Sequence, residues 1–240
     1  MRRFVQALSA GDGFPPAFPE DLRETLGAAP DRYNIAVRKQ ASVIVREDGI
    51  PVAKEFQWGL VPRWSKTPDT PYTTVTARLE RTARSRLFKQ AWETRHCMVP
   101  LNGYYKWDRT AKPAAPYFIQ ASDGQVLMAA GLWECREKGD AALCSFSVLT
   151  HPNAAIPPPL VADGPVFLAP DRWMRWLDPE RWFPKRSLLD STQPELEAYP
   201  VSNAIRDPQR DDYTLLEPVD ALACNEELAM DEEDFDDEDS

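Results

Sequence analysis

Short apolar runs separated by polar turn residues recur along most of the chain, and this pattern is typical of strands. Two runs, Ser42–Val45 and Val52–Trp58, flank the turn Glu47-Asp48-Gly49 and predict a pair of neighbouring strands. The other predicted strands are Cys97–Leu101, Tyr117–Gln120, Val126–Leu132, Ser145–Thr150 and Val166–Leu168.

A four-residue apolar spacing predicts one amphipathic helix over Leu79–Trp92. Its apolar positions are Leu79, Ala83, Leu87 and Ala91. Shorter helices are predicted at Glu20–Leu26, Asp171–Leu177 and Pro194–Ala198. Pro62–Pro71 is expected to be a loop, because proline cannot donate to a strand ladder. Many short strands and few helices favour an α+β fold, a single β-rich domain around a curved, mainly antiparallel sheet.

The formal charge of −10 is unevenly distributed over the 240 residues. Residues 226–240 carry ten acidic residues and neither Lys nor Arg, which leaves 28 acids against 28 bases in residues 1–225. The acidic segment cannot bury enough apolar surface to offset ordering. We therefore expect a folded domain over residues 1–220 and a disordered acidic tail over residues 221–240. A neutral body can still carry a basic face.

The rest of the composition narrows the class of protein. No run approaches the roughly 20 apolar residues of a membrane span, and no secretory signal pattern is found, so we expect a cytoplasmic protein with no membrane partner. A zinc site needs closely spaced ligands, and the sequence offers none. We expect reduced thiols, no metal and no cofactor. The cysteines and histidines are Cys97, Cys135, Cys144, Cys224, His96 and His151.

Three dense motifs stand out, at Trp58–Trp64, Thr76–Arg78 and Val99–Trp107. Together with further segments in the same order, they resemble the SOS response-associated peptidase (SRAP) family. The further segments are Arg32–Ala36, Ala129–Glu134, Phe146–Thr150, Pro165–Leu168 and Tyr199–Ser202. The resemblance runs from about Met1 to Pro218. It implies an SRAP-like domain of the DNA damage (SOS) response, which recognises abasic sites in single-stranded DNA and bonds to them covalently.

The residues that would carry this covalent reaction are replaced. The family's reaction uses an N-terminal cysteine, whose α-amine attacks the abasic aldehyde and whose thiol closes a thiazolidine. Here Arg2 follows Met1, and no thiol lies at the start of the chain. The resemblance places Thr76 where the family has asparagine, Lys106 where it has glutamate, and Val161 where it has histidine. With these four groups missing, we expect a pseudoenzyme with no catalytic residues.

The resemblance implies that the residues for binding DNA are better preserved. Arginine and lysine neutralise phosphates, and aromatic rings stack on bases. The predicted DNA-binding residues are Arg3, Asn34, Trp64, Thr76, Arg78, Arg84, Arg86, Lys106, Trp107 and Thr150. The alternative is that the arginines form a solvated helix face and the tryptophans belong to the core.

Three functions remain open. The first is a DNA-binding pseudoenzyme, and the second is an active crosslinker that uses the Met1 amine or Lys106. The third is an adaptor whose acidic tail recruits a repair or replication protein or competes with DNA. We expect His151 to be an ordinary, partly exposed histidine. A thiol peptidase is disfavoured, because His96 and Cys97 are adjacent in a predicted strand and face opposite ways.

Overall fold

The computed structural model describes residues 1–11, 13–68, 74–137, 142–180, 184–190 and 192–220. The strands are β1 (Arg3–Gln6), β2 (Arg32–Ala36), β3 (Gln40–Glu47), β4 (Ile50–Trp58), β5 (Thr76–Arg78), β6 (His96–Leu101), β7 (Gly103–Asp108), β8 (Ala115–Ala121), β9 (Leu127–Arg136), β10 (Leu143–Pro152), β11 (Asp163–Pro165) and β12 (Leu196–Pro200). The helices are α1 (Glu20–Gly27), α2 (Leu79–Thr82), α3 (Lys89–Thr94), α4 (Trp173–Leu177) and α5 (Lys185–Leu189), with 3-10 turns at Pro170–Arg172, Asn203–Arg206 and Tyr213–Leu216.

The strands form two sheets. The first is antiparallel throughout, in the order β12-β8-β7-β1-β2. The second has the order β11-β10-β4-β3-β6-β9, and β9 also pairs with β10. This extra pairing closes a ring of five strands, β10, β4, β3, β6 and β9. Within it the β10–β4 pair is parallel, as is the pairing of β5 with β10. The predicted β-rich α+β fold with mainly antiparallel strands is confirmed.

Three apolar clusters separate the layers. One packs the helices against the second sheet, with Trp176 of α4 and Leu26 of α1 buried beside Met98 of β6. The next lies between the sheets, where Phe4 of β1 meets Trp58 of β4 at a ring-centroid distance of 4.8 Å. The third covers the other face of the first sheet with the C-terminal turns. We call the face of the first sheet toward the second sheet its inner face, and the opposite face its outer face.

Two predicted helices are wrong. Leu79–Trp92 forms two short helices, α2 and α3, because the backbone turns at Ser85, whose carbonyl accepts hydrogen bonds from Phe88 and Lys89. Pro194–Ala198 falls largely in strand β12, which pairs with β8 from Leu196 to Pro200. Pairing along the sheet edge has overridden the helix-favouring composition of that segment. The helices predicted at Glu20–Leu26 and Asp171–Leu177 are confirmed, the second with a 3-10 first turn.

Most predicted strands are confirmed within one or two residues; β9 continues four residues past the predicted end at Leu132, and the prediction near β11 is displaced. This strand covers Asp163–Pro165, so the predicted strand Val166–Leu168 is displaced. Phe167 makes only an isolated bridge to Ala129. The described part of the predicted loop, residues 62–68, contains no helix or strand.

The expectation of reduced cysteines is wrong for one pair. Cys135 of β9 and Cys144 of β10 are directly opposite in the ladder and form a disulfide. Their proximity follows from the β9–β10 register, which the sequence pattern did not predict. Cys97 is free and fully buried. Cys224 and the predicted acidic tail, residues 221–240, lie outside the described residues.

No helix among the described residues is long and apolar enough to cross a membrane.

Candidate nucleic-acid interface

Strand β7 divides the predicted binding residues between two faces, because successive strand residues point to opposite sides. Tyr104 lies in the cluster between the sheets, whereas Tyr105 lies in the outer cluster. Lys106 therefore faces inward like Tyr104, and Trp107 packs outward. β7 reaches this register through Gly103, where a Cβ atom would collide with Phe118.

Lys106 reaches from the first sheet to the second. Its Nζ donates a hydrogen bond to the backbone oxygen of Asp163 on β11, at 2.5 Å. Burial lowers the pKa of the Lys106 ammonium from its ordinary value, and the nearby Arg109 acts in the same direction, while Asp163 opposes both. The amine is thus held on a strand of the opposite sheet, in surroundings that favour its neutral form more than water does.

Arg78 also approaches Asp163, from strand β5 of the second sheet. Its Nη2 is 3.7 Å from Oδ2 of Asp163, and its side chain remains 57% exposed. Strand β5 carries Arg78 and Thr76 alongside β10, opposite Thr150 and Val148 respectively. Thr150 is buried, whereas Thr76 is half-buried. The structure therefore brings the predicted residues Arg78 and Lys106 to Asp163 and pairs Thr150 with Pro165 of β11, while Thr76 begins the same strand as Arg78.

Two buried polar atoms beside Lys106 have no hydrogen-bond partner within the described residues. They are Oη of Tyr104 and Oδ1 of Asp163. Tyr104 is fully buried, and its hydroxyl lies next to Gly164, where a Cβ atom would approach it to 3.1 Å. Burial, with a smaller effect of the Asp163 charge, raises the pKa of Tyr104. We call Lys106, Asp163, Tyr104 and Arg78 the inner-face cluster. It combines an amine, a carboxylate, a phenol and an exposed cation.

Met1 lies beside the same cluster. Burial is the main reason why the pKa of its amine falls to about 6, and the positive charge of Lys106 lowers it further. The Asp163 carboxylate acts in the opposite direction. Arg2 is exposed, and so is Val161, which lies in the loop before β11. Neither the Arg2 nor the Val161 side chain carries a thiol or an imidazole.

Trp64 and Arg86 form a second group of predicted residues. The Arg86 guanidinium lies 5.3 Å from the centroid of the Trp64 ring, and Trp64 is 45% exposed. They line a shallow groove of about 420 Å³ together with Pro62, Leu87, Lys89, Gln90, Glu93 and Glu134. An exposed indole beside cations can stack an unpaired base. We call this groove the Trp64 groove.

The loop that carries Trp64 is anchored on both sides. Before Trp64, Arg63 Nε donates to the buried Glu134 carboxylate at 3.1 Å, and Arg95 approaches the same oxygen to 3.4 Å. After Trp64, Arg136 donates to two backbone oxygens, of Ser65 at 3.0 Å and Lys66 at 2.9 Å. Burial raises the pKa of Glu134, and Arg63 opposes that shift. These contacts fix the loop against β9.

Arg3 and Asn34 form a third group, on the outer side of the first sheet. Arg3 Nη1 donates to Asn34 Oδ1 at 2.7 Å, and Asn34 Nδ2 donates to the backbone oxygens of Asp207 and Arg210. Asn34 is buried, so its amide orients Arg3 and ties β2 to the C-terminal segment. Trp107 packs partly buried against the outer cluster. Arg3 and Trp107 thus lie on the face opposite Lys106.

Arg84 is exposed after α2, close enough to lower the pKa of Lys185, for which burial is the main cause. Lys185 in turn donates to the backbone oxygen of Glu80, and His151 is hydrogen-bonded to the Glu80 carboxylate. As expected, His151 is partly exposed. The predicted basic residues therefore occupy several places on the surface.

His96 and Cys97 face opposite ways, as predicted. The ring nitrogens of His96 lie 2.8 Å from the backbone oxygens of Trp176 and Trp92. Cys97 is buried between the sheets, where burial raises the pKa of its thiol. Among the described residues burial alone shifts the pKa of this thiol, so His96 and Cys97 do not form a cysteine-peptidase pair.

Sequence reasoning missed Asp163 and Tyr104. Asp163 lies in a stretch for which neither helix nor strand was predicted, and Tyr104 lies within the motif Val99–Trp107 but was given no role. The available signal was one of charge: Lys106 is a cation inside an otherwise uncharged strand motif, which calls for an acidic residue nearby, and Asp163 on β11 is that residue. Within the described residues, no group of three or more His, Cys, Asp or Glu side chains is arranged to hold a metal ion.

The chain matches known proteins over most of its length. It is 29% identical over 171 residues to the abasic site processing protein YMR114C of Saccharomyces cerevisiae, covering 69% of this chain and 44% of that protein. It is 26% identical over 216 residues to the abasic site processing protein YoaM of Bacillus subtilis, covering 87% and 94%. A crystal structure of a protein from Bacteroides thetaiotaomicron shares the fold, with a TM-score of 0.71 at 20% identity over 91% of this chain and 97% of that chain. The model of the SOS response associated peptidase (SRAP) family matches residues 4–208, and the chain belongs to this family.

Proposed function

We propose that this protein binds DNA at abasic sites during the response to DNA damage, and that it does so without forming a durable covalent crosslink. The relatives named abasic site processing proteins support abasic DNA as the partner. We further propose that the bound DNA is single-stranded and that the protein is located in the cytoplasm.

One observation carries the proposal. Around Met1, the inner-face cluster provides amines and cations but no thiol. The described cysteines cannot supply one, since Cys97 is fully buried and Cys135 is bonded to Cys144. A thiazolidine needs a sulfur beside the amine, so a bond between this amine and an aldehyde would stay open to hydrolysis.

The charged surface supports DNA as the ligand. Arg78, Arg84 and Arg86 are exposed, and phosphate neutralisation by such side chains supplies most sequence-independent affinity. Trp64 adds an exposed ring at which an unpaired base can stack. Single strands present unpaired bases, and duplexes do not, which favours single-stranded DNA.

Two measurements test the proposal. The first is equilibrium binding to a single-stranded oligonucleotide that contains one tetrahydrofuran residue, an abasic analogue without an aldehyde, with an unmodified strand and a duplex as comparisons. We expect salt-sensitive binding that prefers the single strand with the analogue. Equal affinity for all three DNAs, or none, would contradict abasic recognition.

The second measurement is denaturing electrophoresis after incubation with a true abasic oligonucleotide. We expect free protein after heating. A band that survives heat and detergent would contradict the pseudoenzyme proposal, because it would demonstrate a durable crosslink.

A further inference from the structure

We propose that Lys106 captures the aldehyde of a ring-opened abasic sugar as a reversible imine, with Asp163 as the proton carrier and the Tyr104 hydroxyl as a hydrogen-bond donor to the reacting oxygen. The inference rests on the proposed function, because the DNA must first bring the aldehyde to the inner-face cluster. It assigns to this chain a reaction that needs no sulfur.

The geometry places the amine where an aldehyde can reach it. Lys106 Nζ is fixed by its hydrogen bond to the backbone oxygen of Asp163, so the long side chain is held in one arrangement rather than moving freely in solvent. The site is open on one side, since the Arg78 side chain is 57% exposed and that of Asp163 is 32% exposed. Arg78 is thus available for a flanking phosphate while Lys106 meets the sugar.

The unpartnered polar atoms point to a ligand. Tyr104 is fully buried, yet its hydroxyl has no hydrogen-bond partner within the described residues, and the same holds for Oδ1 of Asp163. Buried polar groups in native proteins are paired with few exceptions, and an unmade bond costs about 1–3 kcal/mol. A bound aldehyde oxygen, or the hydroxyl of a carbinolamine, would satisfy the Tyr104 donor.

The neutral amine is the reactive form, and its surroundings favour it. Burial lowers the pKa of Lys106. Desolvated lysines of this kind act as imine-forming nucleophiles in enzymes. The groups facing Lys106 from the neighbouring elements are Asp163 on β11, the Met1 amine before β1 and Arg109 after β7.

The reaction balances without a further reactant. The Nζ lone pair attacks the aldehyde carbon, a C–N bond forms, and a proton passes from nitrogen through the Asp163 carboxylate to the oxygen, which gives a carbinolamine. The C–O bond then breaks, the remaining proton on nitrogen passes through Asp163 to the departing hydroxyl, which leaves as water, and a neutral imine remains. No thiol closes on this carbon, so water reverses the sequence and releases the aldehyde.

Borohydride trapping tests the inference. A single-stranded oligonucleotide with one true abasic site is incubated with the full chain, with and without sodium cyanoborohydride, and the adduct is located by peptide mass spectrometry. We expect a covalent adduct only with the reductant, attached to Lys106. An adduct located on the Met1 amine or on another lysine would overturn the inference, and this readout needs no variant.

Variants provide a second readout. Lys106→Arg keeps the cation but cannot form an imine, so trapping should be lost, whereas Lys112→Arg, on the exposed turn after β7, should trap like the unchanged protein. Asp163→Asn should slow trapping about 100-fold, the lower end of the range for general acid–base catalysis. Undiminished trapping by Lys106→Arg would refute the role of Lys106.

Binding to the tetrahydrofuran analogue separates the two proposals. The analogue has no aldehyde, so binding to it reports the proposed function alone. Intact binding without any trapping would refute the imine and leave the proposed function standing. If the unchanged protein did not bind the analogue at all, the proposed function itself would be refuted.

Discussion

The Arg86 guanidinium lies over the exposed ring of Trp64, with its central carbon 5.3 Å from the ring centroid. A cation in this position occupies part of one ring face and places positive charge beside the rest of the exposed indole. An unpaired base that stacks on Trp64 would bring its own phosphate towards Arg86. The pair therefore joins the two elements that single-stranded DNA needs, a stacking surface and a charge.

Trp64→Ala should weaken binding to single-stranded DNA. Base–aromatic stacking contributes about 1–3 kcal/mol per base, which corresponds to a roughly 5- to 150-fold increase in Kd. Tyr213→Ala is a matched control, because Tyr213 is also an exposed aromatic residue, on the C-terminal segment. Fluorescence anisotropy on an unmodified single strand measures both. Equal effects of the two changes would remove Trp64 from the interface.

Arg84→Ala should reduce the salt dependence of DNA binding. Each phosphate contact contributes about one unit to the slope of log K against log salt, and Arg84 is exposed beside Lys185. Titrations at several salt concentrations should give a slope smaller by about 1. Lys54→Ala, which removes an exposed cation paired with Glu47 on the β3–β4 hairpin, should leave the slope unchanged.

Tyr104→Phe should leave the free energy of unfolding unchanged or raise it, because the buried hydroxyl makes no hydrogen bond within the described residues. Tyr105→Phe is the matched control. Its hydroxyl donates to the backbone oxygen of Tyr33 at 2.9 Å, so its loss should cost about 0.5–1.5 kcal/mol. Denaturant unfolding measures both variants. If Tyr104→Phe proved as destabilising as Tyr105→Phe, the hydroxyl would have an internal partner and no ligand need be invoked.

Acid should destabilise the fold through His96. Burial lowers the pKa of His96 against two opposing carbonyl hydrogen bonds, and the ring stacks on Trp176 with centroids 3.9 Å apart. The unfolded chain, with a histidine pKa of about 6.5, takes up the proton first, so stability falls as the pH drops below that value towards the folded pKa. Denaturant unfolding between pH 7 and pH 5 measures this effect. The free energy of unfolding should fall less steeply with decreasing pH for His96→Gln than for the unchanged protein. Parallel curves for the two proteins would contradict this assignment.

Local signals in the sequence predicted much of the fold. The turn Glu47-Asp48-Gly49 fixes β3 against β4, and the structure pairs the two strands from Gln40–Gln57 to Glu47–Ile50. The helix predicted at Glu20–Leu26 is likewise confirmed as α1, and its residues Leu22 and Leu26 are buried. In these segments, residues close in sequence determine the structure.

Long-range pairing explains what the sequence did not predict. Leu196–Pro200 is a strand only because β8 offers an edge with five matching partners. The Cys135–Cys144 disulfide depends on the β9–β10 register. Asp163 joins the site because β11 pairs with β10 and so comes within reach of Lys106 on the other sheet. Each of these relationships is set by tertiary pairing rather than by local pattern.

The candidate site was predicted in part. The motif residues Arg78 and Lys106 both approach Asp163 of β11, and Thr150 pairs with Pro165 of the same strand. Asn34 instead accepts a hydrogen bond from Arg3 and donates one to the C-terminal segment, through a side-chain amide that is buried. The motif identified which residues belong to the site region, but strand alternation decides which face each one occupies.

The anchored Trp64 loop has a consequence for binding at high ionic strength. Glu134 is only 3% exposed, so its pairing with Arg63 and Arg95 is little affected by counterions, which screen exposed charges over about 8–10 Å. Salt would displace the arginines from phosphates while the indole keeps its position. The Trp64 groove should therefore keep a residual affinity for DNA at high salt. Ring stacking alone would provide this part of the affinity, after the ionic contribution has disappeared.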